Sequence, residues 1–212
     1  MNRFTRDILL KETLRAESKG YFKLKKQTGG PGQFAVVDLV VRPLPRDGGY
    51  RFVDSVIEGR IPADFVPSVE KGARQALSRG PLGGHPVVDV EVELLDGATH
   101  KKDSHARDFQ TAGRQAVQAA MAAAQPAILE PLGLLEVGCP VPSIGFVMGR
   151  LAARRSQVRG TDFKEDLYVI LAEIPLIELA AFESELAQAT SGRARMSVTP
   201  AGYDVMPDDV RP

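Results

Sequence analysis

The chain has 212 residues, of which 43% are hydrophobic and 25% charged, enough apolar content to bury one or two ordinary cores. No run approaches the roughly 18 uncharged apolar residues of a membrane helix, and the N-terminus lacks the apolar stretch of a signal peptide, so a cytoplasmic protein is expected. The zero net charge and the single cysteine, Cys139, exclude a uniformly basic nucleic-acid binder and an internal disulfide.

The charges are distributed in local clusters. Basic residues gather in three places: Lys19, Lys23, Lys25 and Lys26; His100, Lys101, Lys102, His105 and Arg107; and Arg150, Arg154, Arg155 and Arg159. Patches of one sign can act as binding faces in a molecule of zero net charge. The alternative is that these residues only solvate exposed faces.

The first part of the chain predicts three strands separated by turns. Alternation around Phe22 and Leu24 predicts a half-buried strand. Residues 34–41 predict a second strand and residues 50–57 a third. The G-G-P-G sequence of residues 29–32 breaks the chain between the first two.

Two helices and a further strand follow. Pro62 suits the first turn of a helix. Residues 88–94 alternate apolar and acidic side chains, which predicts a strand, and the Asp-Gly pair at residues 96–97 indicates a turn. Apolar and small residues at helical spacing predict a second helix over residues 109–124.

Residues from 127 onward predict the order strand, helix, strand, strand, helix, strand. The strands are expected over residues 135–139, 158–161, 167–174 and 195–199, and the helices from Pro142 and over residues 176–189. This order is the split βαβ, ferredoxin-like arrangement. We therefore expect an α+β protein of two domains, over residues 1–126 and 127–200, with a C-terminal tail over residues 201–212.

Residues 27–34 read Q-T-G-G-P-G-Q-F, which resembles the Q-[ST]-G-G-x-G-Q-[FY] segment of elongation factor G. Further matches follow in the family's order in both units. They include F-V-P-S-V-E-K-G at residues 65–72, L-D-G at 95–97, I-L-E-P at 128–131 and M-G-R-L at 148–151. A single glycine motif is weak evidence, whereas many collinear matches are specific. In its details the chain is more similar to an elongation-factor-G-like paralogue than to the housekeeping factor.

The resemblance implies a fold and a function for each unit. The first unit would be domain IV, a ββ(β)αβα fold similar to domain 2 of a small-subunit ribosomal protein, and the second would be the ferredoxin-like domain V. In the family, domain IV enters the decoding site of the small subunit and promotes movement of tRNA and mRNA. Domain V touches large-subunit RNA. We therefore expect a monomeric translation factor that binds the ribosome and its RNA and has no membrane partner.

The phosphate-binding loop of a GTPase is missing. No G-x-x-x-x-G-K-[ST] occurs in the sequence, so this chain is expected to have no catalytic residue, no metal and no cofactor. The resemblance implies that full-length relatives are GTPases that use GTP and Mg²⁺. The start at Met1, just before the family-like segment of residues 11–15, favours a fragment of a longer factor over a stand-alone protein.

The first candidate site is the glycine loop. Its glycines let the backbone approach a phosphate closely, and Gln27 offers both a donor and an acceptor to RNA. The RNA-binding residues expected here are Gln27, Thr28, Gly29, Gly30, Gly32 and Gln33. The same glycines would serve a plain hairpin turn, and the resemblance favours RNA contact. The family often has arginine at the position of Pro31, so one phosphate contact is lost here.

The second candidate site is the loop around His100. The resemblance places a histidine of this loop at the tip of domain IV, where it can hydrogen-bond or stack on an RNA base. Lys101 and Lys102 stand where the family often has an acidic and an apolar residue, so this tip is more basic. Asp103 or Ser104 is expected to cap the following helix. The alternative for His100 is an ordinary exposed loop histidine.

The third candidate site is the group of Arg150, Arg154 and Arg155, near the end of the first helix of the second unit. Arginine forks suit phosphate, and the resemblance places this helix near large-subunit RNA. Cations at a helix C-terminus also suit the helix dipole, and both interpretations stay open.

Three other interpretations remain. A metal bound by His100, His105 and Asp103 has no H-E-x-x-H or cysteine-pair pattern to support it and ranks below loop polarity. A ribosomal protection factor, which dislodges an antibiotic such as tetracycline from the decoding site, would use a similar tip. A stand-alone protein-interaction module could instead pair through an exposed edge of the ferredoxin-like sheet.

Overall fold

Each half of the chain is a β-sheet with two helices beside it. The computed structural model describes residues 9–27, 32–57 and 59–210. The chain divides into two units, one formed by Lys11–Ile128 and the other holding the residues from 129 onward. Each unit has a hydrophobic core of its own.

The first unit is built on a mixed four-stranded sheet. Its elements are β1 (Lys11–Leu14), β2 (Ser18–Lys26), β3 (Gln33–Pro43), β4 (Tyr50–Asp54), α1 (Val66–Leu77), β5 (Val90–Ala98) and α2 (Ala106–Ala123). The strand order is β2-β3-β5-β4, in which β4 is parallel to β5 and the other neighbours are antiparallel. The short strand β1 lies outside this sheet.

Small residues bring α2 close to this sheet and to α1. Alternate residues of β3 from Ala35 to Val41 are fully buried, and the buried stripe of α2 is rich in alanine. A side chain at Gly20 of β2 would collide with the backbone oxygen of Ala116, and one at Gly72 of α1 would collide with that of Gln110. The small residues of α2 and the glycines that face it therefore allow the close approach of these elements.

A buried carboxylate holds the chain segment after α1 in place. Glu12 in β1 is fully buried, and its side-chain oxygens accept hydrogen bonds from the backbone N–H groups of Leu82, Gly83 and His85 at 3.0, 2.9 and 3.1 Å. A buried charge is stable only with such partners. The sequence did not predict β1, because it is only four residues long and Glu12, one of its three buried residues, is charged.

The second unit has the predicted ferredoxin-like fold. Its elements are β6 (Pro126–Cys139), α3 (Ile144–Ala152), β7 (Gln157–Lys164), β8 (Leu167–Pro175), α4 (Leu179–Ala189) and β9 (Arg195–Val205). These four strands are antiparallel in the order β9-β6-β8-β7. Leu135, Val137 and Cys139 alternate into the core, as their spacing predicted. The α+β fold class and the order of the predicted elements are confirmed.

Several boundaries differ from the prediction, among them the start of β6 at Pro126, which precedes the predicted strand of residues 135–139 by nine residues. The pair at residues 96–97 is not a turn but lies inside β5, next to a bulge, where a side chain at Gly97 would collide with the backbone oxygen of Val36. The first helix begins at Val66, and Pro62 precedes a short 3-10 turn. The last strand continues to Val205, so residues 201–205 of the predicted tail lie in the sheet.

Candidate nucleic-acid interface

The start of β3 and the β5–α2 loop meet at one end of the first unit. The Ser104 hydroxyl donates to the carbonyl oxygen of Phe34 at 2.6 Å and accepts from the backbone N–H of His100 at 2.8 Å. The backbone N–H of Phe34 donates to the carbonyl oxygen of Asp103 at 2.8 Å. These bonds fix the His100 loop against the first residues of β3, which follow the glycine loop directly.

A cleft of about 270 Å³ lies between the residues that flank the glycine loop and the His100 loop. It is lined by Lys25, Lys26, Gln27, Gln33, Phe34, His100 and Asp103. The segments of Gln27 and His100, two separate candidate sites in the sequence, thus lie together at one end of the first unit. Ammonium groups, amides, an imidazole and an aromatic ring face one space, which is the set of groups that contacts phosphates and bases of RNA.

The imidazole of His100 is held by a neighbouring carboxylate. Its Nδ1 lies 2.9 Å from Oδ2 of Asp103, and its ring centroid is 6.1 Å from that of Phe34, tilted by 55°. The side chain is 53% exposed. The close contact with this carboxylate orients the ring at the cleft.

Gly32 makes room for this carboxylate. A side-chain carbon at Gly32 would lie 2.7 Å from the carboxyl carbon and from Oδ1 of Asp103. Gly32 is itself buried. Its lack of a side chain therefore has a structural use at the cleft, in addition to the RNA contact expected from the sequence.

The prediction that Asp103 or Ser104 caps α2 was wrong. The N-cap residue is His105, and the buried Asp108 at the third helical position accepts from the backbone N–H of His105 at 3.0 Å. The Oδ2 atom of Asp108 also lies 3.0 Å from Nδ1 of His105. Asp103 and Ser104 are engaged instead with His100 and Phe34. The signal that could have revealed this is the acidic residue three positions after His105, the spacing of a capping box.

The other predicted residues of these two loops fall into three groups. Gln27 is exposed and Gln33 half-buried, and both line the cleft. Lys101 and Lys102 are exposed in the turn that follows His100. Thr28, Gly29 and Gly30 lie outside the described residues. The cleft also includes Lys25, Lys26 and Phe34, which were not predicted as site residues although they flank the glycine loop directly.

Arg155 is bound within the second unit. Its Nη1 lies 2.5 Å and its Nη2 3.0 Å from the two carboxylate oxygens of Glu130, and its Nε lies 2.9 Å from Glu178. Glu130 is only 3% exposed. The hydrogen bond to Glu130, more than any other contact, raises the pKa of Arg155. This fork favours the structural interpretation for Arg155.

The other two arginines of this group differ in exposure. Arg154 lies 2.7 Å from Glu185, stacks over Phe182 at 5.3 Å and is 11% exposed. Arg150 is 48% exposed, and its Nε lies 3.4 Å from the same glutamate. Arg150 is therefore the member of the group whose guanidinium is most accessible to a ligand.

Other functional groups are sparse in the described part of the chain. Within it, no group of three or more His, Cys, Asp or Glu residues could hold a metal ion. Cys139 is buried, and this burial raises the pKa of its thiol, as expected of an inert cysteine. No helix of the described residues is long and apolar enough to span a bilayer.

Comparison with known proteins places the chain in a family. The family model "Elongation factor G, domain IV" matches residues 6–125, and the model "Elongation factor G C-terminus" matches residues 127–212. An elongation factor G-like protein of Thermotoga maritima is 41% identical over 205 residues, covering 96% of this chain and 30% of that protein. Elongation factor G of Aquifex pyrophilus is 39% identical over 203 residues, covering 96% and 29%.

A solved structure agrees with these matches. A crystal structure of a Thermus thermophilus protein has a TM-score of 0.84 and 32% identity, covering 96% of this chain and 30% of that chain. The chain therefore spans about three tenths of the length of its relatives. The resemblance inferred from the motifs is confirmed: the chain belongs to the elongation factor G family of translation factors and comprises its domain IV and its C-terminal domain.

Proposed function

We propose that this chain is the ribosome-binding C-terminal portion of an elongation-factor-G-like translational GTPase. The cleft end of the first unit enters the decoding site of the small subunit and promotes movement of tRNA and mRNA in the cytoplasm. GTP and Mg²⁺ belong to the GTPase domain of the full-length factor. The chain's own contribution is to bind and position RNA.

The observation that carries this proposal is the cleft beside the His100 loop. Lys25 and Lys26 supply positive charge at its rim, and phosphate contacts of this kind supply most of the affinity for nucleic acid. Gln27 and His100 can hydrogen-bond to bases or ribose, and the rings of His100 and Phe34 offer faces on which bases stack. The hydroxyl of Ser104 joins the backbones of His100 and Phe34 and so holds these two rings near each other before any ligand arrives.

In the second unit we propose Arg150 as the contact to large-subunit RNA. Its guanidinium is about half exposed and lies 3.4 Å from Glu185, whereas Arg154 and Arg155 are less exposed and bind carboxylates at 2.7 and 2.5 Å. An arginine that already binds two glutamates would have to leave them before it could bind a phosphate.

Binding of the chain to purified small subunits tests the cleft. We expect the double variant Lys26→Gln/Lys102→Gln to bind about tenfold more weakly than the unchanged chain. Its plot of log affinity against log salt should be shallower by about 1.5, because about two phosphate contacts are lost. The matched control is Lys71→Gln/Arg79→Gln, which removes the same charge from exposed positions on and just after α1.

The control variant should bind like the unchanged chain. Equal weakening by both double variants would mean that the binding depends on overall charge, and the cleft would lose its assigned role. A separate His100→Ala variant should also bind about tenfold more weakly, since stacking on one base contributes about 1–3 kcal/mol. Unchanged affinity would remove His100 from the site.

A further inference from the structure

The outer side of β2 carries a row of exposed residues that extends away from the cleft. Alternate residues of this strand face away from the core: Lys19, Tyr21, Lys23 and Lys25 are all exposed. The residues between them are buried or half-buried. Because β2 is an edge strand of its sheet, this lysine row lies along the rim of the first unit.

The charge of the lysine row is not compensated within the described residues. None of its three lysines has a hydrogen bond or an ion pair there. The acidic residue of the neighbouring strand β3 is Asp38, which pairs in register with Tyr21. Further along the same face of β3, by contrast, the positive charge of Arg42 is compensated by Glu93 at 2.5 Å and by Glu17 at 2.6 Å. The lysine row therefore has a net positive charge available to a ligand.

An aromatic ring stands in the middle of the lysine row. Tyr21 is 59% exposed, with a lysine two residues away on either side. Successive outward residues of a strand lie about 7 Å apart, so the row extends over about 20 Å. Exposed rings interleaved with cations are the recurring surface on which single-stranded nucleic acid stacks its bases and neutralises its backbone. An acidic protein would contact the lysines but would not need the ring.

We propose that the outer side of β2 is a binding track for single-stranded RNA. One base stacks on Tyr21, and backbone phosphates contact Lys19, Lys23 and Lys25. The track joins the cleft, because Lys25 belongs to both. This inference rests on the proposed function because its ligand is RNA. It adds a second RNA-binding surface that extends from the cleft along β2.

Fluorescence anisotropy with the complete chain and a labelled oligouridylate tests the track. We expect Tyr21→Ala to weaken binding about tenfold and Tyr21→Phe to bind nearly as well as the unchanged chain, because the phenylalanine ring still stacks. Lys23→Gln should make the salt dependence shallower by about 0.7, the value for one phosphate contact on a single strand. Lys71→Gln should change neither quantity, and circular dichroism checks that every variant is folded.

The outcomes separate this proposal from the proposed function. Suppose that folded Tyr21→Ala binds the oligouridylate like the unchanged chain, while Lys26→Gln/Lys102→Gln binds small subunits weakly. The track is then refuted and the cleft keeps its proposed role. If the unchanged chain binds neither the oligouridylate nor small subunits, both proposals fail. If polyglutamate displaces the oligouridylate as effectively as unlabelled RNA does, the lysine row is a docking surface for an acidic protein, and the track is refuted.

Discussion

Replacing Arg155 by alanine should lower the free energy of unfolding of the second unit by about 3–5 kcal/mol. The variant leaves the carboxylate of Glu130 buried, 3% exposed, without the two hydrogen bonds at 2.5 and 3.0 Å that now compensate its charge. An uncompensated buried charge is among the largest single-residue penalties in proteins. Urea unfolding followed by circular dichroism measures the loss, and hydrogen exchange in β6 and α3 assigns it to this unit.

Two variants serve as controls for this prediction. Arg150→Ala removes an exposed guanidinium from α3, the helix that ends just before Arg155, and should change stability by less than about 0.5 kcal/mol. The double variant Arg155→Met/Glu130→Leu removes both charges and should regain most of the lost stability. If Arg155→Ala is as stable as the unchanged chain but binds ribosomes weakly, Arg155 is an RNA contact and its structural assignment is wrong.

Replacing Gly72 by valine should destabilise the first unit by about 3 kcal/mol or more. A side-chain carbon at this position of α1 would overlap the backbone oxygen of Gln110 and lie 2.9 Å from the backbone nitrogen of Arg114. Backbone atoms of α2 cannot rotate aside as a flexible side chain could. The two helices would therefore have to separate, which would expose the apolar surface between them. Thermal and urea unfolding both measure this effect.

Gly149→Ala is the matched control for Gly72. It also lies inside a helix, α3, but a side chain there would meet nothing within 4 Å. Because alanine favours helix over glycine, this variant should be more stable by about 0.5–1 kcal/mol. A Gly72→Val variant that unfolds at the same urea concentration as the unchanged chain would show that the helices are not closely packed.

The parts of the fold with strong periodicity could be predicted from the sequence. The spacing of Phe109, Ala112, Ala116 and Ala120 defines α2 because all four lie on one buried face. The strand β1 could not be predicted, because Glu12 is stabilised by backbone groups about seventy positions away. The turn predicted at residues 96–97 was wrong for a related reason. An Asp-Gly pair indicates a turn locally, but Gly97 is required because the backbone of a neighbouring strand, β3, approaches it closely.

The candidate site was predictable in outline only. That Gln27 and His100 lie together follows from the neighbouring positions of β3 and β5 in the sheet. The role of Asp103 in holding His100 depends on side-chain geometry that no spacing reveals. Likewise, Arg155 appeared in a basic cluster, and only the folded chain shows that its partner is Glu130.

Directed cleavage of ribosomal RNA tests most directly whether the loop end of the first unit contacts the decoding site. Cys139 is buried, so iron chelates attached to introduced cysteines report on those positions alone. With the chain bound to small subunits, iron at Lys102→Cys should cleave RNA of the decoding site. Iron at Lys71→Cys should leave that RNA intact. Decoding-site cleavage from position 71 but not from position 102 would contradict the account.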